Sequence, residues 1–599
     1  LSRLPVAAFG ALVLATIGAF FVSQHLKVST PLIAGIGPPA PGAINPVGGL
    51  VCGGIDYRRA KFSFYLLHKA DSVDVYVIDQ NGTVVRTLAS GRHMRRGVRI
   101  PDGVFYWNGR EDDHRVAPDG TYEIEVALIQ QGRTVTLGTA SGPETVTVKT
   151  VAPRPVVDGV WPHLIPRRGR SVTIRYSGNE GRGGTVRLYR TDLNGPPRLV
   201  KTFLTPWKGQ TAVWDGKIRR RPAPAGTYLV GLEVTDAACN TGYFPPKVPP
   251  APGVTAHDGV TVRYLAAQPP LDPVPAASAA VVRVDAARRR YGWSLLRDGQ
   301  GRPVASGASA ASVLRAPLPA GRAGLYELRL RSGAHATAVP VVASAPAPAR
   351  ALVVLPALTW QGLNPVDDTG DGLPATLTAG GPIRLARPFA HGLPSGFADE
   401  AGLLAYLDAS HLAYQLTTDL GLVDGIGPRL SGHTSVVLAG SETWLPAATA
   451  AALRSYVQAG GHVLAMGIDS LRRSVTVTGG RALDPTGPAA NDALGAQRTA
   501  PVEHGAGPLT VSSDSLGIFE GTPGTFPGYR AYQPIRGVAA SGGILSAAGA
   551  QPSAPGIVGY QLGRGTVVEI AVAGFGAGLR TDAAARALVA RVWNVLGGS

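Results

Sequence analysis

One pattern occurs twice in this chain, in the same order and at almost the same spacing. A strand ends in Trp, an Asn/Asp-Gly turn follows, and a second strand opens Gly-Thr-Tyr. The first copy is Val104-Phe105-Tyr106-Trp107-Asn108-Gly109, then Pro118-Asp119-Gly120-Thr121-Tyr122-Glu123-Ile124-Glu125-Val126. The second is Ala212-Val213-Trp214-Asp215-Gly216, then Pro224-Ala225-Gly226-Thr227-Tyr228-Leu229-Val230. Asn/Asp-Gly supplies the positive φ a tight turn needs. Trp and Tyr on neighbouring strands bury one aromatic cluster. The alternation in Tyr122–Val126 gives one wet and one dry face. Two half-buried hairpins of one design predict tandem β-sandwich modules, at 55–150 and 151–248. Alternating runs at Ala280–Val284 and Leu325–Leu330 predict a third β module at 254–344 without the Trp. Ala345–Arg350, with Pro346 and Pro348, reads as a linker.

At 599 residues the chain is too long for one core. Its hydrophobic content of 45% and charged content of 16% are those of a globular chain. The net charge of +17 is carried mostly by Arg. The basic runs at 92–99, 167–170, 219–221 and 288–290 fall in predicted turns without the aromatic interleaving of a single-strand binder, so nucleic acid is not an expected partner. The charge is compatible with anionic partners. The two cysteines, Cys52 and Cys239, have no metal-ligand spacing, and in an oxidising compartment a disulfide between them would join the first module to the second.

Leu4–Val22 is an uncharged run of about nineteen residues, long enough at ~1.5 Å per residue to span a bilayer core. With Arg3 before it and no small-residue cleavage site after Val22, it reads as a retained membrane anchor at 1–28, with the rest of the chain extracytoplasmic. The alternative is secretion after signal cleavage. Residues 29–54, rich in Pro and Gly, read as a linker.

The Trp–Gly…Pro-x-Gly-Thr-Tyr pattern resembles the Ig-like module of the flagellar hook-capping protein. Such modules are spacers or binders. Trp107 and Trp214 read as core residues, with sugar stacking the alternative.

From Ala351 the period changes. Continuous apolar runs at Ala351–Pro356, Ser435–Gly440, His462–Gly467 and Thr566–Ala573 read as strands buried on both faces. Helical patterns at Glu400–Ser410, Pro446–Ala459 and Asp582–Leu596 alternate with them. The expected fold class is therefore multi-domain: tandem all-β Ig-like sandwiches, then an α/β doubly wound domain at 351–599, with one N-terminal transmembrane helix. This last part resembles the class I glutamine amidotransferase-like (flavodoxin-like) fold. More narrowly it resembles the C-terminal domain of the N,N-dimethylformamidase large-subunit family. The carriers are Leu358-Thr359-Trp360-Gln361-Gly362-Leu363-Asn364, Thr417-Thr418-Asp419-Leu420, Val437–Gly440 and Tyr456–Val463.

The chemistry implied by these resemblances is largely missing. The amidotransferase resemblance implies a nucleophilic Cys where this chain has Gly467-Ile468-Asp469, and a His after the late strand, which instead runs into Ala573-Gly574-Phe575-Gly576 with no His beyond it. Without nucleophile or base, glutaminase chemistry is not expected. The formamidase resemblance implies iron held by tyrosines and a carboxylate. Gly362-Leu363 stands where a Tyr is implied, and Glu442 in Ser441-Glu442-Thr443-Trp444 matches the carboxylate. One Glu does not make an iron centre.

The catalytic residues thus stay unknown, with Asp419, Glu442 and Asp469 as candidate carboxylates. Asp469 also reads as a helix N-cap. Asp367-Asp368-Thr369-Gly370-Asp371-Gly372 resembles the start of a calcium loop, but its twelfth position is Thr378 rather than Glu. Asp367 and Asp371 are therefore the candidate metal ligands, with calcium as the ion such a loop would hold, and no cofactor is expected. The function expected is a membrane-anchored surface protein with a catalytically degenerate domain that binds a ligand or cell-envelope component. The alternative is an extracytoplasmic hydrolase built on carboxylates.

Overall fold

The computed structural model describes all residues except 1–3, 30, 49–50, 181–182, 208, 251–257, 504–506, 528, 541 and 598–599. In the first sandwich, a sheet of Ile33–Ala40, Ala60–Leu66 and Val104–Trp107 faces a six-stranded sheet centred on Gly120–Leu128 and Asp71–Ile78. Every second residue of Asp71–Ile78 points inward, so Val73, Val75 and Val77 meet Phe62, Phe64 and Trp107 in one core. Ile33–Ala40 pairs with Ala60–Leu66, so the Pro/Gly stretch is part of this sandwich rather than a free linker.

The second sandwich repeats the plan, with Val156–Trp161, Val172–Ser177 and Thr211–Trp214 over a six-stranded sheet centred on Gly226–Thr235. The repeated motif has the same construction in both. The Trp107 and Tyr122 rings sit 5.0 Å apart, and those of Trp214 and Tyr228 5.6 Å apart. Trp107 Nε1 donates to Arg110 O and Trp214 Nε1 to Lys217 O, each at 2.9 Å. Tyr122 Oη donates to Pro118 O at 2.7 Å and Tyr228 Oη to Pro224 O at 2.8 Å. The aromatic bodies fill the core while their polar ends tie down the turn between them. Gly109 and Gly216 hold φ of 69° and 67° there. A disulfide joins Cys52 to Cys239, and beside it Asn240 donates to Lys149 O at 3.1 Å.

A third sandwich, with sheets centred on Ala279–Asp285 and Gly324–Ser332, is not a separate core. Its Leu295, Leu328 and Val341 belong to one apolar cluster with Leu355, Leu404 and Val592 of the C-terminal region.

The C-terminal region corrects the expected doubly wound α/β domain. The strands, helices and breaks read from the periodicity do form, including Ala351–Leu355, Ala447–Gln458 and Ala583–Val595. Their assembly differs. The nine-stranded sheet is mixed: Tyr414–Thr418, Ala351–Leu355, Ser435–Leu438, His462–Met466 and Gly565–Ile570 run parallel, and the remaining four strands are antiparallel. Between Met466 and Gly565 the chain forms hairpins and short strands instead of strand–helix units. Two of the helices, Ala357–Gly362 and Asp419–Asp424, are six residues each. The molecule as a whole is predominantly β, 43% strand against 13% helix.

The expected transmembrane helix is corrected as well. Leu4–Ser29 is helical, but among the described residues no helix is long and apolar enough to cross a membrane. The single-pass location and the membrane as a partner, both inferred from that helix, fall with it.

Candidate functional site

The carboxyl ends of the parallel strands carry three buried acids. Thr418 ends its strand and caps the following helix, its Oγ1 accepting from Gly421 N at 2.9 Å, which places Asp419 in the first turn. Asp419 reaches the N-terminus of the neighbouring helix. It accepts from Leu358 N at 3.0 and 3.1 Å and from Leu420 N at 2.7 Å. Glu442 enters four residues after Ser435–Leu438, and Glu400 from the helix Phe397–Ala409. Exposures are 0% for Asp419 and Glu442 and 1% for Glu400.

Burial dominates their electrostatics. It raises Glu442 well above the usual carboxylate range, and the neighbouring Asp419 charge raises it further. Burial also raises Asp419, opposed by the N–H groups of Leu358 and Leu420. Burial pushes Glu400 up to about 8, with Asp399 adding to the shift. Neither oxygen of Glu442 meets a donor in hydrogen-bonding geometry. Asp419, faced by backbone N–H groups, is the better placed of the pair to carry charge.

The other candidates lie apart. Asp469 has φ 54° and is ion-paired with Arg472 at 3.1 Å and Arg473 at 2.7 Å. It caps no helix: its own N–H donates to Gln533 Oε1 at 2.8 Å. Asp367 accepts from Thr369, Gly370 and Gly372 N at 2.7–3.0 Å, and Asp371 from Leu373 N at 2.8 Å. Their oxygens organise the loop itself. Gly370 O then accepts from Gly259 N at 2.9 Å and Gly372 O from Thr191 Oγ1 at 2.7 Å, so the loop docks on the second sandwich. Among the described residues no three or more His, Cys, Asp or Glu are grouped to hold a metal. Iron does not fit the site either: Leu363 replaces the implied phenolate and Asp419 is engaged by backbone.

The motif Trp360–Asn364 is scaffold. Gln361 Nε2 donates to Arg387 O at 3.2 Å, Gln361 O accepts from Arg387 Nη2, and Asn364 Nδ2 donates to Pro388 O at 3.2 Å. Arg387, 1% exposed, also donates to Ala375 O at 2.6 Å.

With the motif's geometry established, the families can be assigned to their segments. Residues 313–485 match the family described as N,N-dimethylformamidase beta subunit-like, C-terminal. This dimethylformamidase-like region begins inside the third sandwich, consistent with their common core. Residues 56–132 match the FlgD Ig-like domain. The basal-body rod modification protein FlgD of Salmonella typhimurium is 32% identical over 110 residues, covering 18% of this chain and 44% of that protein. The same protein from Salmonella typhi matches equally. The chain thus spans less than half the length of the curated relatives it matches. Among solved structures, a β-galactosidase from Rahnella sp. R3 is 14% identical, covers 34% of this chain and 27% of its own, and has a TM-score of 0.23. The Clostridium thermocellum CbhA fibronectin(III)-like modules are 11% identical over 38% of this chain and 92% of theirs, with a TM-score of 0.19. Likeness at that level bears on neither fold nor function.

Two buried acidic centres escaped the sequence reading. Glu400 sits on an otherwise apolar helix face and gave no signal beyond its pairing with Asp399. Glu569 was visible in principle, as a lone charge in the apolar run Val567-Val568-Glu569-Ile570. It pairs with the fully buried Arg498 at 2.6 Å and accepts from Tyr560 Oη at 2.7 Å, while Asp492 holds the other side of Arg498 at 3.0 Å.

Proposed function

We propose that this chain is an exported, non-catalytic binding protein, in which Ig-like modules present a dimethylformamidase-like region to a small ligand or a cell-envelope component. One observation carries the reading. The carboxylates at the parallel strand ends are sealed in the fold, and the half-buried alternative, Asp469, is held by two arginines. A hydrolase must present its base and nucleophile to substrate. The Cys52–Cys239 disulfide supports an oxidising compartment.

Carbodiimide labelling of the native full chain, read by peptide mass spectrometry, tests the sealing. Asp419, Glu442 and Glu400 should remain unlabelled while surface carboxylates such as Asp113 react. Labelling of Glu442 at the surface rate contradicts the reading.

A carboxylate hydrolase is the second reading. It is favoured by Glu442, which burial raises well above the usual carboxylate range, lying beside Asp419, which backbone N–H groups favour as the charged form: two neighbouring carboxyls with different environments. It requires the cluster to open to substrate, which the same labelling would detect.

A further inference from the structure

Between the third sandwich and the dimethylformamidase-like region lies an open cleft of about 520 Å³. Arg263, Arg283 and Asp285 stand on the sandwich wall, with Asp368, Arg384 and Arg387 opposite. The opposite wall is the one that the Trp360–Asn364 motif builds, since Gln361 and Asn364 fix Arg387 and Pro388.

The charges do not cancel. Arg263 pairs with Asp285 at 3.2 Å and Arg387 with Asp368 at 3.4 Å. Asp367, the third acid of the cleft, spends its oxygens on the N–H groups of its own loop. Arg283 and Arg384 form no ion pair among the described residues; the Arg384 guanidinium donates to the Asp368 backbone O at 2.8 Å, and its backbone N–H donates to Asp368 Oδ2 at 3.2 Å. Two guanidiniums therefore line the cleft without a carboxylate ion pair, one from each wall. Asp285, Gln268 and Ser312 add hydroxyl-binding groups to the lining.

We propose that this cleft binds a small hydroxylated carboxylate, the chemistry of a sugar acid. Arg283 and Arg384 receive the carboxylate, whose planar geometry matches the guanidinium fork, while Asp285, Gln268 and Ser312 receive hydroxyls. The volume suits a ligand of one or two rings, and junctions between packed units are preferred ligand positions. The proposal rests on the ligand-binding reading above, and the two fail separately. Turnover or labelling of the buried acids would sink that reading, whereas failure to bind an acid sinks only this one.

Isothermal titration of the full chain with D-galacturonate, and with D-galactose as its neutral counterpart, tests it. Galacturonate should bind and galactose should not. Arg283→Gln and Arg384→Gln should each weaken galacturonate by at least about tenfold, about 1.4 kcal/mol. Arg302→Gln, an exposed arginine outside the cleft, should change nothing. Both cleft arginines are themselves exposed, so their replacement leaves the fold intact. No binding at about 10 mM galacturonate, far weaker than the millimolar range, overturns the proposal. So does equal binding of galactose, or full affinity in the double variant.

Discussion

Asp419, Glu442 and Glu400 all have folded-state pKa values raised above those of the unfolded chain. Between the ordinary carboxylate values, 3.8 and 4.5, and about 8, the folded protein therefore binds more protons than the unfolded chain. Its stability must fall as pH rises through that window. Glu442→Gln keeps the shape and removes one ionisable group. It should raise stability at pH 8 by about 1–3 kcal/mol, do little at pH 4, and flatten the pH dependence, as read by denaturant melts across that range. Little of this was legible beforehand. Asp419 and Glu442 stood out through the formamidase resemblance, in Thr417–Leu420 and Ser441–Trp444, but their burial is set by packing that no local spacing encodes. Asp469 looked equally eligible until Arg472 and Arg473 were seen to hold it.

The Asp-rich loop shows what an element gains from its neighbours. Its alternating oxygens matched a cation site in sequence, yet they cap the loop's own backbone, and its carbonyls grip the second sandwich. Gly259 and Gly372 meet backbone to backbone, and a methyl on Gly259 would run into Gly372 Cα. Gly259→Ala should cost about 1–3 kcal/mol through overpacking and loosen this junction, which calorimetry or proteolysis at the 367–372 loop would register. Wild-type resistance in the variant would contradict the docking role. The Trp–Tyr motifs were legible in their ring and turn contacts, which lie within about twenty residues of sequence, but they are not hairpins: Val104–Trp107 pairs with Ala60–Leu66 and Gly120–Leu128 with Asp71–Ile78, in opposite sheets of the sandwich. The mixed sheet was not legible: four of the five parallel strands announced themselves as buried apolar runs, Tyr414–Thr418 with its polar residues did not, and the antiparallel half is set by distant pairings such as Ser546–Gly549 with Pro555–Leu562.

At the scale of the whole molecule, cores and covalent ties divide the chain unevenly. The first two sandwiches have separate cores joined by the disulfide, whereas the third shares its core with the C-terminal region. Calorimetry should therefore show the third sandwich and the C-terminal region melting in one transition. Reduction of Cys52–Cys239 should lower only the transitions of the first two; two resolved transitions beyond residue 254 would contradict the common core. The central claim concerns what this assembly does not do. It is tested most directly by incubating the purified full chain with dimethylformamide, formamide and glutamine and measuring released amine and ammonia. The account predicts release at the buffer rate, unchanged in Glu442→Gln. Release above that rate, abolished in Glu442→Gln with the fold intact, would contradict it.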